Sequence, residues 1–333
     1  MKSPADHNEL VLDVDSLRIT VNPKIGGTIV DIWHRDLKQG ILGSTPWDPI
    51  LSPIAARAAD EMTWLTRYRG GWPLLFPNGG DTCEFDGVLH GYHGEASVSP
   101  WAFDIQGRSI RLRRQFFTVP VVMDRELQIS GDVLIIKEAI AMVGKSPIEV
   151  MWTHHPTFGG DLLGGGFVIE TGAKTVVADD QFESPLNPLK QGATGSWPML
   201  PGKNGLFDMS VPEQPIASMA YLLDFKEPWV SVRRSDCTVG VVLSWDLSIF
   251  PCAWLWYELE GTYDPPWFGN ARLLGIEPST SWPGTGLADI KDRGGPLLIL
   301  SPGDKIATTL RLHVFKPDGI IEGVDHDGRA IIG

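Results

Sequence analysis

Apolar and polar side chains alternate along this chain in short runs, and turn residues rather than helical segments close each run. In residues 306–315, Ile306, Leu310, Leu312 and Val314 share one face with Thr308 among them, while Arg311 and His313 take the other. In 133–142, Leu134, Ile136, Ile140 and Met142 share a side that Glu138 interrupts. Residues 16–21 and 109–116 alternate likewise. A period of two marks a strand with one buried face, and such half-wet strands belong to antiparallel sheets. The breaks, at Asn22-Pro23, 171–174 and 301–304, leave no room for the crossover helices of a doubly wound sheet. The pattern predicts a mostly β protein: one continuous two-sheet domain over 1–318, then a glycine- and charge-rich tail, 319–333, loosely attached. One helix is predicted over 52–64, with Ser52 as N-cap and Pro53 as first helical residue. Residues 184–215, rich in Pro and Gly, read as a long loop.

Composition narrows the function classes. Of 333 residues, 43% are hydrophobic and 21% charged, enough apolar material for a sizeable core. The formal net charge of −13 argues against a nucleic-acid partner, which needs a basic face. The first twenty residues have no continuous apolar stretch of the kind a secretory signal carries, and no run is long enough to span a bilayer. Cys83, Cys237 and Cys252 are odd in number and widely spaced, with no CxxC pair, so a reducing, cytoplasmic setting is expected.

Two segments concentrate the candidate chemistry: Trp152-Thr-His-His-Pro-Thr-Phe158 and Gly275-Ile-Glu-Pro-Ser-Thr280. Each sets an ionisable residue beside a proline at the end of a β-type run. An imidazole and a carboxylate from separate strands can give and take protons on opposite sides of one bound molecule. His90 and His93 form a second histidine group, and Arg69 precedes two glycines and Trp72-Pro73. His90-x-x-His93, His154-His155 and Glu95 fit neither HExxH nor a zinc ribbon, so no metal is expected. A glycosidase would need a second carboxylate flanking the bond; Glu258 and Glu260 are unpaired candidates. Gly159-Gly160 and 164–166 lack the Gly-Lys-Ser/Thr of a phosphate loop.

Taken in order, six motifs resemble the aldose 1-epimerase (galactose mutarotase) superfamily. They are Pro23-Lys-Ile-Gly-Gly27, Arg69-Gly-Gly-Trp-Pro73 (similar to the hexose-phosphate epimerase branch), His90-Gly-Tyr92, His155-Pro-Thr-Phe158, Gly275-Ile-Glu-Pro278 and Ser301-Pro-Gly-Asp304. They are collinear and cover about 16–316. The resemblance implies an antiparallel two-sheet β-supersandwich with a groove on one concave face. It implies a mutarotase or epimerase that interconverts the anomers of a monosaccharide, with Glu277 as general base, His155 as general acid and no cofactor. It further implies that His90 and Arg69 bind the sugar, Arg69 through a hydroxyl or an anionic group, and that tryptophans stack on the ring: Trp72 and Trp256 foremost, with Trp101 and Trp152 also considered. His93 and His154 would support the others. The chain departs from the pattern where many relatives carry an arginine two residues after the aromatic of the His-Gly segment; Gly94 stands there. For the aspartate that grips sugar hydroxyls, Asp81, Asp161, Asp246 and Asp264 all qualify. The rival expectation is a non-catalytic carbohydrate-binding protein of the same fold, in which His155 and Glu277 serve only as hydrogen-bonding groups.

Overall fold

The alternating run 133–142 becomes the strand Val133–Met142, paired antiparallel with Val121–Ser130 on one side and Lys305–Phe315 on the other. This is seen in a computed structural model that describes residues 9–47, 60–212 and 214–333. These strands form the middle of an eight-stranded sheet that runs from Phe167–Thr171 at one edge to Ala102–Gln106 at the other. A second eight-stranded sheet carries Ile216–Leu223, Cys252–Leu259, Arg272–Ser279, Thr153–His154 and Leu74–Leu75 as successive neighbours, with Thr157–Phe158 also on Arg272–Ser279. Every named ladder is antiparallel, as period two requires.

One buried cluster takes side chains from both sheets, Leu134, Ile136 and Leu312 from the first and Leu222, Leu255 and Ile276 from the second. The sheets therefore pack face to face, and each fully buried Leu or Ile contributes roughly 1.5–3 kcal/mol. Glu138, the break in the apolar face of its strand, points into this interior and is 2% exposed. Arg125, its register partner, donates to Glu138 Oε1 at 2.6 Å, while Trp152 Nε1 and His154 Nε2 lie 3.1 Å from Oε2. Trp72 Nε1 donates to His154 Nδ1 at 3.1 Å, so the His154 proton sits on Nε2 and is given to Glu138. Burial would push the Glu138 carboxyl up; the His154 and Arg125 beside it outweigh that and hold it down at about 2. Arg125 and Glu138 come from one sheet and His154 from the other, so the network bolts the two layers together.

Two expectations need correction, and a third is described only in part. The tail after Pro317 folds back as a hairpin, Ile321–Val324 against Ala330–Ile332. Its Ile321 packs with Trp229, Val242 and Phe315, and Ala330 N donates to His313 Nδ1 at 3.0 Å. That cover explains why His313, on the nominally wet face of its strand, is buried. The supposed loop 184–215 contains three short strands, Thr194–Ser196, Met199–Gly202 and Gly205–Asp208. The predicted helix start at Ser52 and Pro53 lies outside the described residues. In that region the helix Glu61–Leu65 is described, capped by Asp60, whose side chain accepts from Thr63 N at 2.8 Å.

Candidate active site

The ladder register brings His155 and Glu277 together. Thr153 pairs with Ser279 and Thr157 with Gly275, so the residues midway between, 155 and 277, stand opposite each other. Pro156 has no N–H to give this ladder, but its carbonyl accepts from Ile276 N at 3.3 Å. On the far side His155 N donates to Pro73 O at 3.1 Å and Thr157 N to Gly71 O at 2.8 Å. The segment is thus stitched along both edges. His154, the last residue of its strand, then faces the interior and His155, just past it, the opposite side, because successive residues of an extended segment alternate.

His155 Nε2 lies 3.8 Å from Glu277 Oε1, with the two side chains 7% and 2% exposed. Gly275 makes room for the carboxylate: a Cβ there would meet Glu277 Oε1 at 2.4 Å. Behind the imidazole, Thr157 Oγ1 sits 3.1 Å from Nδ1 and 2.6 Å from the Tyr68 hydroxyl. This hydroxyl chain holds the ring from the back and leaves Nε2 for the cleft. The rings of His93, Trp256, Tyr68 and Trp64 surround it at 5.4, 5.7, 5.8 and 6.3 Å.

Burial acts on the pair in opposite directions. It pulls His155 down to about 4 and pushes the Glu277 carboxyl well above the usual carboxylate range. Glu277 Oε2 is buried and has no hydrogen-bond partner among the described residues, a polar atom open to something that binds. Both residues floor a cleft of about 420 Å3, a volume suited to a small molecule. A larger trough, about 950 Å3, crosses the outer face of the other sheet. The ion pairs Arg111–Glu126 and Arg113–Asp124 line it and satisfy one another, whereas in the smaller cleft Glu277 keeps an oxygen unpartnered among the described residues.

Of the residues singled out in the sequence, His155, Glu277 and Trp256 line this cleft. Arg69, His90 and Trp72 do not. Arg69 pairs with Glu9 at 3.0 Å. His90 is buried on the strand Val88–His90, and Trp72 is fully buried against His154. Trp101 donates to Ala96 O at 3.2 Å and Trp152 to Glu138, both in the core. Of the four candidate aspartates, Asp81 reaches the cleft. His93 lines it too, its Nδ1 accepting from Gly80 N at 3.0 Å, whereas His154 does not. The sequence reading missed Trp64, Tyr68, Tyr92 and Thr157. Thr157 was the findable one, since it is two residues from His155 on the same strand face.

No protein-family model matches the sequence, and no curated protein does. Solved structures match the fold along nearly its whole length. The Slr1438 protein of Synechocystis sp. PCC 6803 is 17% identical with a TM-score of 0.65, covering 95% of this chain and 100% of its own. A galactose mutarotase-like protein of Clostridium acetobutylicum is 16% identical with a TM-score of 0.62, covering 92% and 95%. A galactose mutarotase related enzyme of Lactobacillus acidophilus is 14% identical with a TM-score of 0.60, covering 93% and 98%. At these identities the likeness is one of fold, and the chain has the galactose mutarotase-like antiparallel β-sandwich.

Proposed function

We propose that this protein is a sugar mutarotase or closely related epimerase, an isomerase that opens and recloses the ring of a monosaccharide by acid–base catalysis. The observation that carries the proposal is the His155–Glu277 pair, 3.8 Å apart on the floor of the cleft and matched to no other charged partner among the described residues. Glu277 takes the proton of the anomeric hydroxyl as the bond from C1 to the ring oxygen breaks, and His155 delivers a proton to that oxygen. The open-chain aldehyde rotates about C1–C2, and the reverse transfers close the ring on the other face. Atoms and charge balance without a cofactor or a covalent intermediate.

The pair holds one proton in either of two forms, on Glu277 with both groups neutral, or on His155 as an ion pair. Burial favours the neutral form in the empty cleft. Sugar hydroxyls lying against Glu277 Oε2 supply the hydrogen bonds that favour the ion pair, which is the form that opens the ring. A carboxylate of raised basicity facing an imidazolium of raised acidity suits both transfers. Trp256 and Trp64 offer ring faces to the apolar side of the sugar. No helix among the described residues is long and apolar enough to cross a membrane, and we place the protein in the cytoplasm, where its three free cysteines stay reduced.

Exchange NMR across a panel of aldoses reports anomer interconversion directly. His155→Ala and Glu277→Gln should each slow exchange by at least ~10²-fold. Wild-type exchange in either variant removes that residue from the chemistry. Sugar binding with no exchange in the wild type replaces the proposal with a non-catalytic carbohydrate-binding protein.

A further inference from the structure

The charge of the sugar follows from what lines the cleft. Six lining side chains are carboxylates, Glu61, Asp81, Asp179, Glu183, Glu258 and Glu277, and no lysine or arginine lines it among the described residues. Two of the six are committed to the protein itself. Asp179 accepts from the amides of Gln181 and Phe182 at 2.8 and 2.6 Å and from the Tyr221 hydroxyl. Glu258 accepts from the amides of Gly261 and Thr262 at 3.0 and 3.1 Å.

Glu61 and Asp81 are different. Both sit exposed at the rim, and neither side chain has a hydrogen-bond or ion-pair partner among the described residues. Partial burial by the cleft walls raises the Glu61 carboxyl, and Asp81 raises it further. Partial burial, then Asp289 and Asp179, does the same to Asp81. Burial is the larger cause in both and like charge the smaller, and a bound cation would favour the ionised form against each. On the floor, the orphaned Glu277 Oε2 independently marks the cleft as a place where a ligand must supply a hydrogen-bond partner. Arg69, the guanidinium that the sequence offered to an anion, is engaged by Glu9 instead.

We propose that the substrate is an amino sugar, its ring against His155 and Glu277 and its ammonium toward Glu61 and Asp81. The orientation rests on the ring-opening reading; the charge preference does not. A phosphorylated or carboxylated sugar would enter a cleft whose low-dielectric walls concentrate a negative field.

The test compares each amino sugar with its own neutral parent in the gluco, galacto and manno series, with hexose 6-phosphates and uronic acids alongside. Affinity is read by ligand-observed NMR on the full-length protein at pH 6 and low salt, and anomer exchange on the same samples. In at least one series the amine should bind about tenfold tighter than its parent, a gap that salt narrows, and the anions more weakly. Glu61→Gln with Asp81→Asn should bring amine and parent to within about threefold. The inference is overturned if no amino sugar binds, if none binds more tightly than its parent, if an anion binds tightest, or if the double variant keeps the full preference. An amine preference without exchange leaves this inference standing and removes the ring-opening reading. Exchange with equal affinities does the opposite.

Discussion

His154 and His155 are neighbours in the chain, one ending a strand and the other just past it, yet each meets a buried glutamate in a different world. His154 points between the sheets, where Glu138 has Arg125 on one oxygen and Trp152 and His154 on the other. His155 points into the cleft, where Glu277 has the imidazole at 3.8 Å and one oxygen with no partner among the described residues. Burial is nearly equal, so burial does not decide the outcome. Partners do: Glu138 is held down at about 2 and Glu277 is pushed up. A satisfied buried carboxylate is a bolt, whereas an unsatisfied one stays open to a partner from outside, which is the role the proposed function gives Glu277.

The sharpest way to break this comparison is to make the same substitution in both places. Glu138→Gln leaves the Arg125 guanidinium buried without its counter-charge, and should cost about 3–5 kcal/mol of stability by denaturant unfolding. Glu277→Gln should cost nothing near neutral pH and even stabilise, while exchange falls by at least ~10²-fold. Equal losses of stability would mean that the two glutamates do the same structural job.

Much of this contrast could be read in the sequence, and part could not. Alternation located the strands around Val133–Met142 and Lys305–Phe315, because period two survives whatever the tertiary context. It marked Glu138 as an interruption without saying what met it, since Arg125 and His154 arrive from other strands. The motifs singled out His155 and Glu277, but spacing along a chain does not fix which way a residue between long strands faces. Arg69, His90 and Trp72 lie in equally distinctive motifs and turn elsewhere. The cage of Trp64, Tyr68 and Tyr92 comes from a short helix and two loops, where no periodicity announces a face.

Stability against pH separates the two glutamates next, and the signs differ. The folded pKa of Glu138 is lowered, so its stabilisation is present above the ordinary carboxylate value of 4.5 and is lost as pH falls toward about 2. The folded pKa of Glu277 is raised, so its cost sets in as pH climbs above 4.5. His155 is lowered from 6.5 to about 4, and its cost sets in as pH falls through that window. Unfolding free energies should therefore show Glu277→Gln gaining on wild type as pH rises from 4 to 7. His155→Gln should gain as pH falls from 6.5 to 4, each by roughly 1–3 kcal/mol. The exchange rate should have an acid limb near pH 4, where the pair takes up a second proton. Parallel stability curves for wild type and both variants would sink the account of how the cleft tunes this pair.

The smallest effect probes what holds His155 while His154 is held by Glu138. Thr157 bridges the His155 Nδ1 and the Tyr68 hydroxyl, so Thr157→Val keeps the volume and removes the bridge. Tyr68 then keeps a buried hydroxyl without its partner, at about 1–3 kcal/mol of stability. The imidazole loses its rear hydrogen bond, and exchange should slow by about tenfold, the worth of one such bond near 1.4 kcal/mol. Stability and rate are told apart by Thr157→Ser, which restores the hydroxyl but not the methyl. Exchange should return to within about threefold of wild type, since the hydrogen bond carries the effect. If Ser and Val slow exchange equally, packing around the strand holds His155, and the hydroxyl chain is incidental.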